Sequence, residues 1–543
     1  MQNTGRGRRL RLPQRTVRRA QTAGPGALLP DLRKEGDAML RQLQYDQKLL
    51  KERAEVQADR AAYPLPFPQV LEFNPPVHET WNIVHIGMNL PEAHQIYICG
   101  INCMRGVVLT AAEMNCLDRF HSVTIDEQDI ISGRLEDATA DGVADVLRKL
   151  PELPPAVIVF TVCTHHFVGC DLNYIYRKLE EEFPQVRFIR AYMDPLLQKE
   201  GATPDQKLRT AMCGVLSAEE ATGAGDPAGT PAGVPYGNCE AAVAGAGGAG
   251  VFAAAVLGSN VPLEEGNDIA RMLAAAGAQG RAARLLQAPS CSTYEEYCSM
   301  GAADVFLSNV PNGREGAVQT AQRLGKKSLH MPMSFSYEEI RAGLEALREA
   351  AAECGCFLSP LDYEAEEQAC EAAMARVLEL VGDTEIRIDY ASHPTPVGLA
   401  RYLLQRGFQV TKIYLNAFLP EDAENVEWMR VHARQVRYAA TVQPECRVLD
   451  RSAGGEFGTG APDCGNSDPS GAERAAGCRI LAIGPHAAWF SGTAHFVNLV
   501  EGGGLWGYQG IRRLAELMED AYLHPKDTED LVPRKGLGCE SCI

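Results

Sequence analysis

The alternation of short apolar runs with helical segments constrains this chain more than any other feature. From about residue 80 to 215, β-rich runs (Gln95–Ile98, Ser122–Ile125, Ala156–Val162, Arg187–Ala191) alternate with helical stretches such as Asp171–Phe183. Parallel strands need crossovers long enough to hold a helix, so this pattern predicts βα units wound around a parallel sheet. It resumes at Val251–Leu257, passes through the loop Gly258–Gly266 and the helix Asn267–Ala276, and continues to about residue 350. A third set begins at Glu385–Tyr390, includes the helix Pro396–Gly407 and the strand Gln409–Leu415, and ends near Tyr522. A chain of 543 residues is too long for one core. The expected fold is therefore α/β, with three units of similar size, each wound around its own mostly parallel sheet.

Composition supplies the boundaries. Residues 1–30 form a basic arm, expected to be disordered or an over-extended start, with a docking tail as the alternative: Arg6–Arg19 holds seven arginines and no acid, but no apolar stretch of the kind export requires. Residues 31–79 read as a helical and proline-rich lead-in. The first domain covers 80–216, and an Ala/Gly-rich linker or insertion, too poor in apolar side chains to repay its ordering, covers 217–250. The second domain spans 251–384, the third 385–522 with a Gly-rich insert at 453–477, and a tail 523–543 follows. The net charge of −18 argues against a nucleic-acid or anionic-membrane surface. No apolar run approaches the ~20 residues a membrane span needs. Seventeen cysteines scattered through a long chain without a signal peptide fit a reducing cytoplasm better than a disulfide framework.

Four of those cysteines stand out. Cys99 and Cys163 each sit where a strand-like run gives way to a glycine-containing loop, and Cys103 and Cys170 lie just beyond. Ligands of open α/β sheets gather outside the carboxyl ends of strands, and thiolates are soft ligands for iron–sulfur clusters or zinc. Cys103 would share a face with Cys99 if a helix begins there. Neither pair has the C-x2-C spacing of compact zinc sites, and burial as small hydrophobes is the plain alternative to metal ligation. His165 and His166, between Cys163 and Cys170, either donate protons beside such a site or cap the loop. Cys291 follows a short apolar stretch in the same way. Cys539-Glu-Ser-Cys542 is a C-x2-C on the tail, suited to redox chemistry or to metal shared with a partner's thiols. Gly502-Gly503-Gly504, with Gly507 and Gly510, could cradle a phosphate but lacks the lysine and hydroxyl of a Walker motif. A tight turn before a helix is the preferred reading.

Taken together, Ile98-Cys99-Gly100, the segment Asp126–Gly133, Thr161-Val-Cys163 through Val168-Gly169-Cys170-Asp171, and Gly507-Tyr508-Gln509-Gly510-Ile511 resemble the catalytic subunits of nitrogenase component 1, over about residues 80–520. That superfamily includes the molybdenum–iron protein subunits and related reductases of tetrapyrrole biosynthesis. The resemblance implies three Rossmann-like domains and a role in accepting electrons from an ATP-dependent iron protein and passing them through an iron–sulfur cluster to a substrate. Cys99 and Cys163 match two of the family's cluster ligands. The third precedes these two in the nitrogenase subunits and has no counterpart, since Cys99 is the first cysteine of the chain; Cys103 or Cys170 would replace it. The implied cluster is in its simplest form a [4Fe-4S] at a subunit interface, in a homodimer or a hetero-oligomer with a related component 1 chain. Cys291 falls where the nitrogenase α subunit binds one end of its iron–molybdenum cofactor, so a second, unknown metal cofactor is implied there. The histidine at the other end aligns with Asn498, and His495 lies three residues earlier. Dinitrogen reduction is therefore not expected, and the expected activity is a nitrogenase-like oxidoreductase of unknown substrate. The alternatives are a non-catalytic scaffold or carrier for metal-cofactor assembly, or a zinc-stabilised binding protein.

Overall fold

A computed structural model describes residues 54–67, 83–194, 202–217, 251–276, 282–441 and 480–526. The basic arm, the insertion at 218–250, the Gly-rich insert 453–477 and Cys539–Cys542 lie outside the described residues. The described chain opens on a short strand, β1 (Glu55–Gln57), within the stretch expected to be helical. Its pairing explains the difference. β1 adds antiparallel to an edge of the last sheet, where Glu55 meets both Lys412 and Arg437, so partners hundreds of residues away override local helix propensity.

β2 (His94–Cys99), β3 (Phe120–Thr124), β4 (Ala156–Val162) and β5 (Arg187–Met193) form a parallel sheet in the order β3-β2-β4-β5. β4 is buried at every position, as its unbroken apolar run demands of a central strand covered on both faces. Tyr97 stacks between Phe160, at 4.1 Å, and Phe120, at 5.1 Å between ring centroids. β6 (Val251–Val256), β7 (Ala282–Gln287), β8 (Val305–Ser308) and β9 (Lys327–His330) repeat the scheme in the order β7-β6-β8-β9. The third sheet has the order β1-β12-β11-β10-β13-β14. It comprises β10 (Glu385–Asp389), β11 (Gln409–Tyr414), β12 (Arg437–Ala439), β13 (Ile480–Ile483) and β14 (Phe496–Val497), parallel except for β1.

Each order reverses direction once, between β2 and β4, between β6 and β8, and between β10 and β13. A reversal leaves a crevice at the carboxyl ends of the two strands, where open α/β sheets place ligands. Two of the three crevices are filled by the chain itself. Beyond β6 and β8, Gly258 (φ +79°) packs backbone to backbone on Gly313; a Cβ on Gly258 would lie 2.3 Å from the Gly313 Cα. Arg209, from the helix Pro204–Cys213, donates to the Gly258 carbonyl at the same place.

Beyond β10 and β13, the buried Asp389 accepts the Ser392 amide on Oδ1 at 2.9 Å and the Ala487 amide on Oδ2 at 2.8 Å. Gly484 (φ +105°) must be glycine, because a Cβ there would meet that carboxylate at 2.2 Å. Burial pushes the Asp389 carboxyl up to about 7, against the pull of the amides it accepts. An unfolded aspartate titrates near 3.9, so between about pH 4 and 7 the folded protein keeps a proton that the unfolded chain has lost. Stability is then expected to fall as pH rises through that window and to level above it. Urea unfolding at pH 5, 6 and 7 checks this: Asp389→Asn should show a shallower decline than the wild type, and equal slopes would contradict the assignment.

Candidate metal centre

The crevice between β2 and β4 is where the thiols lie. Cys99 is the last residue of β2 and is fully buried. Gly100, in extended conformation, caps the helix Ile101–Glu113, whose first turn carries Cys103, so the two thiols come from a strand end and a helix start, not from one helical face. Cys163 opens the short helix Cys163–Val168 directly after β4. The Cys99 carbonyl also accepts the Ile125 amide at 3.2 Å, drawing the end of β3 to the same edge.

Burial pushes the Cys99 thiol up to about 12, with the neighbouring thiolates of Cys103 and Cys163 adding to the effect. Cys103 is raised by burial and by Cys163. A cation bound beside these thiols would favour their thiolate forms. Cys170 stands apart. Gly169, in the left-handed region (φ 72°, ψ 41°), ends the short helix and turns the chain away. The Cys170 thiol is pushed up to about 11 by burial and then by Glu136, to which it is hydrogen-bonded. Of the four cysteines singled out from sequence, Cys99, Cys103 and Cys163 thus influence one another electrostatically, while Cys170 has Glu136 as its neighbour. Among the described residues no three His, Cys, Asp or Glu side chains lie close enough to hold a single metal ion.

The two histidines after Cys163 also part company. His165 is buried; its Nδ1 accepts the Val162 amide at 3.3 Å and its Nε2 meets Thr139 Oγ1 at 2.9 Å, so both ring nitrogens serve the local structure. His166 faces outward, with Nδ1 2.7 Å from Oδ2 of the buried Asp194 at the carboxyl end of β5. Asp194 lies three residues beyond the run Arg187–Ala191 read as a strand, directly after the strand's end at Met193. Around the crevice a rim of apolar side chains is open to solvent: Ile101 is 73 % exposed, Ile131 76 %, Phe167 75 % and Val168 47 %.

The other singled-out residues are elsewhere. Cys291 Sγ lies 3.4 Å from Met300 Sδ and 3.7 Å from the Gln287 carbonyl, and burial pushes its thiol up to about 12. Asn498 is exposed, while the buried His495 directs Nδ1 to the Ala521 carbonyl at 3.0 Å. The glycine loop forms the tight turn. Gly502, Gly503 and Gly504 all have positive φ, and the amides of Glu501, Gly502, Gly503 and Leu505 are spent on protein carbonyls. The helix Gly507–Leu523 that follows has its first amides capped by Asp268, which accepts from Tyr508 at 2.6 Å and Gln509 at 3.2 Å.

No protein-family model matches the sequence, and no curated protein matches it. Among solved structures the chain is similar to nitrogenase Cp1 at pH 6.5, with a TM-score of 0.54 and 12 % identity over 84 % of this chain and 94 % of that one. It also matches nitrogenase Cp1 at pH 5, with a TM-score of 0.47 and 11 % identity over 90 % and 98 % of the two chains. The protein is of the α/β class, built on three mostly parallel, Rossmann-like sheets. Its fold is nitrogenase component 1-like. The donor chemistry of Cys99, Cys103 and Cys163 fits an iron–sulfur cluster, which thiolates hold.

Proposed function

We propose that the chain is an iron–sulfur oxidoreductase subunit that accepts electrons from an ATP-dependent iron protein and reduces a small molecule other than dinitrogen. The observation that supports this reading is the placement of Cys99 at the end of β2, and of Cys103 and Cys163 in the first turns of the helices that follow β2 and β4, at the strand reversal of the first sheet. A bound cluster, in its simplest form [4Fe-4S], would supply one-electron transfer at low potential. Cys99, Cys103 and Cys163 would hold it. The buried strands β2 and β4 place Cys99 and Cys163 on rigid backbone and keep water from the side facing the sheet. The rim of Ile101, Ile131, Phe167 and Val168 fits burial against a second chain, so we read the functional unit as a homodimer or a hetero-oligomer with a related component 1 chain.

Dinitrogen is disfavoured because Asn498 stands in place of a cofactor-binding histidine and His495 is committed to Ala521. A second cofactor at Cys291 would have to displace the Met300 contact. We take residues 80–216, 251–384 and 385–522 as three domains and place the protein in the cytoplasm, without nucleic-acid or membrane contacts. No described helix is long and apolar enough to cross a membrane. The same Asn498 also favours a second reading, a scaffold or carrier for metal cofactors. Electron delivery separates the two. With a nitrogenase-type iron protein and MgATP, the oxidoreductase is expected to show ATP-dependent reduction by electron paramagnetic resonance. A carrier would stay oxidised in that mixture and release its metal to an acceptor without ATP.

A further inference from the structure

The loop that leaves the crevice filled by Asp389 carries a second buried polar side chain, His393, which is 2 % exposed. Its Nδ1 accepts the Thr395 amide at 3.0 Å and meets Thr395 Oγ1 at 3.1 Å. A backbone amide can only donate, so Nδ1 holds no proton and the neutral ring carries its hydrogen on Nε2. Burial holds His393 down at about 4, which keeps the ring uncharged at neutral pH. Its Nε2 makes no hydrogen bond among the described residues, yet it is not closed off from solvent. Buried donors in folded proteins are nearly always satisfied, by the chain or by something bound to it. The walls around this donor are apolar. The Phe335 ring lies 4.7 Å from the His393 ring between centroids, and a Cβ on Gly502 would stand 3.5 Å from His393 Cδ2 and 2.4 Å from Met333 Sδ. The Gly502 amide donates to the Ser392 carbonyl at 2.9 Å, which holds the glycine turn beside the ring. Met333 donates its own amide at 3.1 Å to the carbonyl of Asn309, directly after β8, and the buried Asn309 side chain has no hydrogen-bond partner among the described residues. The second and third sheets thus each bring an unpartnered polar side chain to the region beyond their carboxyl ends, where open α/β sheets bind ligands.

We propose that His393 Nε2–H anchors a small, uncharged ligand by its carbonyl oxygen, between the second and third sheets. The described contacts of the His393 ring are Thr395, Phe335 and Gly502, none of them charged, so the site offers nothing to balance a carboxylate. Phe335 and the Met333 thioether favour a flat, unsaturated body behind that carbonyl. Taking the ligand as the substrate rests on the oxidoreductase reading above; binding itself needs no cluster.

The test uses the full chain, 15N-labelled at histidine, titrated with benzamide and followed through the proton–nitrogen resonances of its imidazoles. Toluene, which lacks the carbonyl, and benzoate, which carries a charge, are titrated beside it. One Nε2 resonance, identified by its absence in His393→Phe, is expected to shift and saturate with benzamide and to stay in place with the other two. His393→Phe should melt near the wild type and bind benzamide at least about tenfold more weakly, the worth of one buried hydrogen bond. His393→Gln keeps an N–H donor and should recover part of the affinity, which a merely structural role would not produce. Should His393→Phe unfold, His393→Gln identifies the resonance and the same criteria apply. No saturable shift with benzamide, an equal shift with toluene or benzoate, or equal affinity in the wild type and His393→Phe would overturn the site. Iron and sulfide analysis of the same sample separates the two readings: protein that binds benzamide but holds no iron would overturn the oxidoreductase reading alone, and iron-loaded protein without the shift would overturn this site alone.

Discussion

Cys163→Ala is expected to purify without oxygen carrying at least about tenfold less iron than the wild type, while Cys370→Ala keeps its full content. The contrast is informative because the two thiols differ in surroundings, not in kind. Cys163 is half-buried at the start of a helix and raises the titration of both Cys99 and Cys103. Cys370 is fully buried in the helix Tyr363–Val381, with Sγ 3.2 Å from the Tyr508 carbonyl. On the proposed assignment, removing the first sulfur takes a ligand and little of the core. Removing the second takes packing from the core and no proposed ligand. Cys99→Ala should behave as Cys163→Ala does. Iron and sulfide assays beside a thermal melt check the prediction, and equal iron in Cys163→Ala and Cys370→Ala would contradict it.

The second large effect is on stability. Arg209 is 4 % exposed and joins segments far apart in sequence. Its guanidinium pairs with Asp205 in its own helix, donates to the Gly258 carbonyl, reaches Asn260 Oδ1 at 2.9 Å and lies 3.7 Å from Glu501. Asn260 in turn donates to Glu501 at 3.0 Å, and Asn312 donates to Asp205 at 2.9 Å. Glu501 holds φ at +48°, a conformation that costs a non-glycine residue free energy and persists only where its surroundings fix it. In Arg209→Ala the buried Asp205 and the strained Glu501 would lose their cation. The expected loss is about 3–5 kcal/mol, since the dominant cost of breaking a buried pair is the charge left behind. Arg209→Lys should fall between, because one ammonium cannot reach all the acceptors a planar guanidinium serves. Denaturant unfolding of the three proteins measures this, and a loss below about 1 kcal/mol in Arg209→Ala would show the network to be dispensable.

Much of the fold was legible because parallel strands announce themselves locally. The run Ala156–Val162 has the same bounds as β4, and the alternation of apolar runs with helices reappears as three reversing sheets. What failed to show was set by distant partners. Nothing local distinguishes Glu55–Gln57 from helix, since its strand pairing comes from β12. Cys103 and Cys170 look equivalent in sequence; only the left-handed Gly169 and the approach of Glu136 separate them. His165 and His166 are adjacent and alike on paper, yet successive positions on a helix point about 100° apart, which sends one to Thr139 and the other to Asp194. The glycine loop was readable as a turn, but not why three glycines are needed: a Cβ on Gly504 would stand 2.2 Å from the Pro262 carbonyl, a contact across more than two hundred residues.

Cys99, Cys103 and Cys163 are proposed to hold a redox-active iron–sulfur cluster. Its most direct test is an iron, sulfide and zinc analysis of the anaerobically purified chain, joined to an electron paramagnetic resonance spectrum before and after dithionite. Iron with matching sulfide and a signal that appears on reduction and vanishes in Cys163→Ala is the predicted result. A colourless protein, or one holding zinc alone, would contradict it and leave a binding protein on a nitrogenase component 1-like fold.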